Sequence, residues 1–129
     1  MLRAILGIIL GVLAGGVAIF GVEALGHAMF PPPAGLNAAD PAQLATMMDQ
    51  IPVGAKLMVL LAWFIGIVIG GSVAMVVSSR RKWTAWTVAV ILFSLAALTM
   101  VMIPHPVWMM AGAVMATIAG GAMSTRLVR

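Results

Sequence analysis

The chain has 129 residues, 64% of them hydrophobic and only 8% charged, with a formal net charge of +4 and a mean hydropathy of +1.19. Soluble domains carry roughly 25% charged residues, so this composition belongs in a bilayer. The lack of cysteine excludes disulfides, thiolate metal sites, iron–sulfur clusters and thiol catalysis. Basic residues gathered at the ends of apolar runs are topology determinants, so nucleic acid is not an expected partner.

The first span is predicted over about 2–29. Its uncharged run, residues 4–22, exceeds the roughly 7 to 15 residues of a secretory-signal core, and it is expected to be a retained span. Pro31-Pro32-Pro33 ends it, because proline has no amide hydrogen and blocks the preceding turn. In the outer loop that follows, 30–52, Asp40-Pro41 reads as an N-cap with proline at the first helical position. Leu44, Met47, Met48 and Ile51 then recur at helical spacing. Together they predict a short amphipathic helix over about 41–50, lying apolar side down on the outer membrane face and ending before Pro52.

The second span is predicted over about 53–79 and the third over about 83–103, joined by a turn so short that they must be antiparallel neighbours. Pro104-His105-Pro106 reverses the chain into a fourth span over about 107–125. Each run approaches the roughly 20 residues that cross a hydrocarbon core about 30 Å thick. Trp83 and Trp86 stand at one boundary and Trp108 at the other, where amphipathic indoles anchor helices at head-group level. The expected fold is one all-α domain, 1–129, an up-down bundle of four transmembrane helices with the short helix in its first outer loop.

Six of the seven basic residues (Arg3, Arg80, Arg81, Lys82, Arg126 and Arg129) fall on one side of these spans, and Glu23, Asp40 and Asp49 on the other. Lys and Arg flanking spans are retained in the cytoplasm, so both termini are expected there. Small residues repeat at four-residue spacing: Gly7, Gly11 and Gly15, then Gly66 and Gly70, then Gly112, Ala116 and Gly120. In lipid, close backbone approach at such stripes is a main source of helix association. They fit packing within one bundle or a homo-oligomer interface, and the first is favoured because four spans need at least three internal interfaces.

Glu23 and His27 lie four residues apart, about 40° apart on one helix face, with Gly16 within about 20° of Glu23. Counting from Arg3 at about 1.5 Å per residue puts Glu23 some 30 Å away, at the outer edge of the hydrocarbon core. Three readings follow. In the structural one, Glu23 is neutralised by Lys56, the sole basic residue on the outer side, and His27 braces the proline loop. In the transport one, Glu23 and His27 form a proton- or cation-accepting site. In the metal one, Glu23, His27 and His105 converge with Asp40 or Asp49 on a zinc site. A copper alternative draws on the outer methionines Met29, Met47, Met48, Met58, Met100, Met102, Met109 and Met110, although methionine also packs adaptably against irregular helix surfaces. No cofactor is expected, zinc and copper being the alternatives. No nucleophile motif such as Gly-x-Ser-x-Gly occurs and no serine shares a predicted depth with a histidine, so the chain is not expected to be an enzyme.

The segment Val22-Glu23-Ala24-Leu25-Gly26-His27-Ala28-Met29-Phe30-Pro31-Pro32-Pro33, followed by Pro52-Val53-Gly54-Ala55-Lys56 and Ala62-Trp63-Phe64-Ile65-Gly66, resembles a group of small bacterial four-span membrane proteins to which no activity is assigned. That resemblance implies a bacterial inner membrane. The chain departs from two other small four-span families. Small multidrug transporters hold a first-span Glu near mid-membrane, whereas Glu23 falls at the rim; fluoride channels pair antiparallel with little charge bias, whereas the bias here is strong. The leading expectation is a non-catalytic inner-membrane protein acting through helix packing, as a homo-oligomer or an accessory subunit of a larger complex. A small transporter or channel using Glu23 and His27, and a metal-binding protein on the periplasmic face, are the alternatives.

Overall fold

The computed structural model describes residues 1–37 and 39–129. Helix α1 covers Leu2–Met29; α2, Pro41–Met47, continues into a 3-10 turn at Met48–Gln50; α3 covers Val53–Val77, α4 Lys82–Met102 and α5 Val107–Leu127. Four of these five, α1, α3, α4 and α5, are long and apolar enough to cross a membrane. No strand occurs among the described residues, and the chain is an integral membrane protein of the expected all-α class. The outer faces of the long helices carry Ile9, Leu13, Val17, Phe20, Val90, Leu98 and Ile118 exposed, an apolar surface suited to the bilayer interior.

Helix α3 is the hub, and α1, α4 and α5 all pack against it. The reason lies in its glycines. Gly7, Gly11 and Gly15 of α1 lie against the carbonyl oxygens of Ala74, Gly70 and Gly66, and a β-carbon built at those three positions would stand only 2.5 to 2.7 Å from them. The two antiparallel helices are therefore in backbone contact along three turns, which nothing larger than glycine allows. On the opposite side, Gly112 lies against Leu60, Gly120 against Ile67, and Gly71 against Ser124, so α5 runs parallel to α3. Helix α4 closes the bundle with Val88, Ala89 and Leu92 against Ile67 and Ala74. The glycine stripes thus serve packing within one bundle.

Proline sets most helix ends, as expected: Pro52 and Pro106 are the N-caps of α3 and α5. Asp40 caps α2, its carboxylate accepting from the Ala42 amide at 3.0 Å, with Pro41 in the first turn. Helix α3 ends at Val77, two residues before the predicted limit, because Ser79 and Arg80 turn into the left-handed region at φ 61° and 63°. The Arg80 amide then donates back to the Met75 carbonyl at 2.7 Å, the six-to-one bond that closes a Schellman turn. Across that turn Ser78 and Thr84 are buried and hydrogen-bonded at 2.8 Å. Arg3 donates to Ser79 at 3.3 Å, which puts the N-terminus and the basic Arg80–Lys82 turn at one end of the bundle.

Candidate functional site

At the other end, the helices separate around a cavity of about 530 Å³. Its floor lies near the level where α1 packs closely on α4: a β-carbon at Gly15 would stand 2.7 Å from Leu92 Cδ1. Beyond that level both helices line the cavity, α1 with Gly16, Ile19, Glu23 and His27, and α4 with Leu95, Ala96 and Thr99. Helix α3 supplies the back wall through Lys56, Met58, Val59 and Trp63, and His105 and Met109 reach it from the start of α5.

The roof is the outer loop. Pro31, Pro32, Pro33 and Leu36 line the cavity together with Leu44, Met48 and Ile51. The short helix therefore directs three of its four expected apolar residues into the protein, where the sequence suggested that they face the membrane. The roof is held by local bonds: the Gln43 side chain accepts from the Asn37 amide at 2.8 Å, and the Asn37 side chain from the Ala39 amide at 3.0 Å. Phe30 packs its ring on Gly54, where a β-carbon would meet it at 2.5 Å. That contact ties the end of α1 to the start of α3.

The four polar residues singled out from sequence, Glu23, His27, Lys56 and His105, all line this cavity. Lys56 is the deepest, only 8% exposed; Glu23 and His105 are half-buried and His27 is exposed. Glu23 and Lys56 share the cavity without a hydrogen bond between them among the described residues, so the direct pairing expected from sequence does not form and both charges face the same space. His105 Nδ1 lies 2.6 Å from the Ile103 carbonyl. A carbonyl only accepts, so the ring proton sits on Nδ1 and Nε2 is the free nitrogen.

Metal binding fares differently. Among the described residues, no group of three or more His, Asp or Glu side chains is placed to hold one ion. Glu23, His27 and His105 reach the cavity without closing on a common point, Asp40 is engaged as the cap of α2, and Asp49 is exposed. Of the eight outer methionines, Met48, Met58 and Met109 line the cavity, mixed among its apolar walls.

Sequence reasoning missed Trp63, Leu92 and Leu95 as cavity walls. Gly16 carried a signal, since it shares the face of Glu23 seven residues earlier. The fold and this cavity define a four-helix integral membrane protein with a partly open cavity at one end. Comparison with protein-family models, with curated proteins and with solved structures gives no match, and the site is read from its own geometry.

Proposed function

We propose that the protein is a membrane-embedded binding protein that holds one small amphipathic molecule in this cavity. The observation that carries the reading is the convergence of Glu23, His27, Lys56 and His105 on a single space of about 530 Å³ whose other walls are largely apolar. That is the usual make-up of a small-molecule site: apolar walls for affinity and a few converging polar groups for orientation. We take both termini to be cytoplasmic and the cavity to open on the outer side of a bacterial inner membrane, because Arg3, the Arg80–Lys82 turn, Arg126 and Arg129 gather at the opposite end of the bundle.

Two features favour binding over passage. Below the floor, α1 and α3 are in backbone contact from Gly15 to Gly7. Inward of the cavity on α3, the Ser72 hydroxyl is buried without a hydrogen-bond partner among the described residues and so joins no relay to Glu23. Association with further copies or subunits draws no support from the glycine stripes of α1 and α3, which are buried against each other.

Native mass spectrometry of the protein gently extracted from its own membrane tests the reading, with Gly16→Phe as the comparison. A β-carbon at Gly16 meets nothing within 4 Å although the residue lines the cavity, so a ring placed there narrows the site from its wall without disturbing a packed contact. A bound molecule of several hundred daltons on the natural chain, lost in Gly16→Phe, is the expected result. Identical spectra for the two would overturn the proposal.

A further inference from the structure

The cavity is shaped for a particular kind of amphipath, an inference that rests on the binding role proposed above. From Gly16 to His27 it follows eleven residues of α1, about 16 Å at 1.5 Å per residue. A hydrocarbon core is about 30 Å thick; counted from Arg3, Gly16 lies about 20 Å along and Glu23 about 30 Å, so the apolar part of the cavity falls within the outer half of the core and its polar end reaches head-group level. It also opens sideways. Gly16 on α1 and Leu95 on α4 both line it, yet Gly16 is exposed and Leu95 is 54% exposed on the lipid-facing surface. Exposed wall residues on both helices leave room for lateral entry between α1 and α4, with Trp63 and Leu92 as the apolar surface an acyl chain would meet.

The charges complete the match. At the rim the same space holds one carboxylate, Glu23, and one ammonium, Lys56, which form no hydrogen bond with each other. A ligand bearing both signs satisfies both: its cation on Glu23 and its anion on Lys56, with His105 Nε2 free as a further polar contact. A head group with only a cation would leave the buried Lys56 unpaired, which is costly, and one with only an anion would leave Glu23 with His27 as its neighbouring charge and no contact to the ligand. We infer that the cavity binds one outer-leaflet phospholipid with a phospho-ammonium head group, entering between α1 and α4, with its phosphate on Lys56 and its ammonium on Glu23.

The test uses the full chain in nanodiscs of equimolar phosphatidylethanolamine and phosphatidylglycerol, transferred to a delipidating detergent and weighed by native mass spectrometry. The natural chain should retain a single phosphatidylethanolamine in preference to phosphatidylglycerol. Gly16→Phe should retain neither, and Glu23→Gln should weaken retention of the amine lipid roughly tenfold, the loss expected for one charge-assisted hydrogen bond. Equal retention of the two lipids would overturn the head-group assignment. No retained lipid, while a different molecule from the native membrane still disappears in Gly16→Phe, would overturn the lipid inference and leave the binding role standing. Natural chain and Gly16→Phe behaving alike in both experiments would overturn both. Should Glu23→Gln not fold, Lys56→Met is the alternative charge variant, expected to weaken retention of both lipids, whose shared phosphate it no longer meets, while the preference for phosphatidylethanolamine stays; unchanged retention of both would overturn the assignment of the phosphate to Lys56.

Discussion

Gly11 and Gly70 meet backbone to backbone: a β-carbon on Gly11 would stand 2.5 Å from the Gly70 carbonyl oxygen, and one on Gly70 would stand 2.5 Å from the Gly11 carbonyl. The relationship is reciprocal, so neither helix can yield by rotating a side chain. Gly11→Ala should cost about 1–3 kcal/mol, the usual range for overpacking, and Gly11→Val more, because a second branch also meets Val88. Gly21→Ala on the same helix meets nothing within 4 Å and should cost nothing, with a gain of up to about 0.5–1 kcal/mol from alanine's better helix propensity. Unfolding in mixed micelles of increasing dodecyl sulfate reads the difference. Equal midpoints for Gly11→Ala and Gly21→Ala would contradict the α1–α3 contact.

The turn after α3 stores strain that a single substitution can release. Ser79 holds φ at 61°, a region that costs most L-residues roughly 1–2 kcal/mol and glycine almost nothing. Glycine also gives the unfolded chain more freedom, so the expected net gain for Ser79→Gly is about 0.5–1 kcal/mol. The lost contact from Arg3, 3.3 Å long and exposed, offsets little of it. A lowered midpoint in the same titration would show that Ser79 matters for another reason.

Ser78 and Thr84 form the buried polar tie across that turn. Each hydroxyl has one proton. Thr84 donates to the Arg81 carbonyl at 2.7 Å, so in the 2.8 Å bond between the two side chains Ser78 donates and Thr84 accepts. Ser78→Ala and Thr84→Val should each cost about 0.5–1.5 kcal/mol. Because they break the same bond, the double variant should cost less than the sum of the two. Strict additivity would mean that the bond contributes nothing of its own.

Orientation is open to a direct measurement. Reporter fusions at Arg81 and Asn37 should read cytoplasmic and outer respectively, since basic residues flanking spans are retained inside. The opposite pattern would turn the cavity toward the cytoplasm and place its lipid in the inner leaflet.

Helix limits were legible in the sequence because they depend on local chemistry. Pro31, Pro52 and Pro106 stop or start helices wherever they stand, and Asp40-Pro41 is a cap by composition alone. The convergence of Glu23, His27, Lys56 and His105 was legible too, because counting residues from the basic end puts all four at one depth. Which helix each glycine stripe would meet was not, since Gly7, Gly11 and Gly15 look the same whether they face α3 or a second copy. Nor was the end of α3 at Val77, where serine and arginine occupy left-handed positions that sequence patterns reserve for glycine. The cavity itself was not legible either, because a space between helices depends on how the whole bundle packs and not on any local pattern.

The central place of α3 bears on the order in which the molecule can be assembled during synthesis. Helix α1 finds its whole glycine-lined seat on the very next span to enter the bilayer, so the first two spans can dock as soon as Val77 has been inserted. The lateral opening beside Gly16 has no second edge until α4 follows. A nascent chain halted between these points would be a closed hairpin with its outer groove still open to the surrounding lipid, and α4 would then close over whatever molecule already lay there.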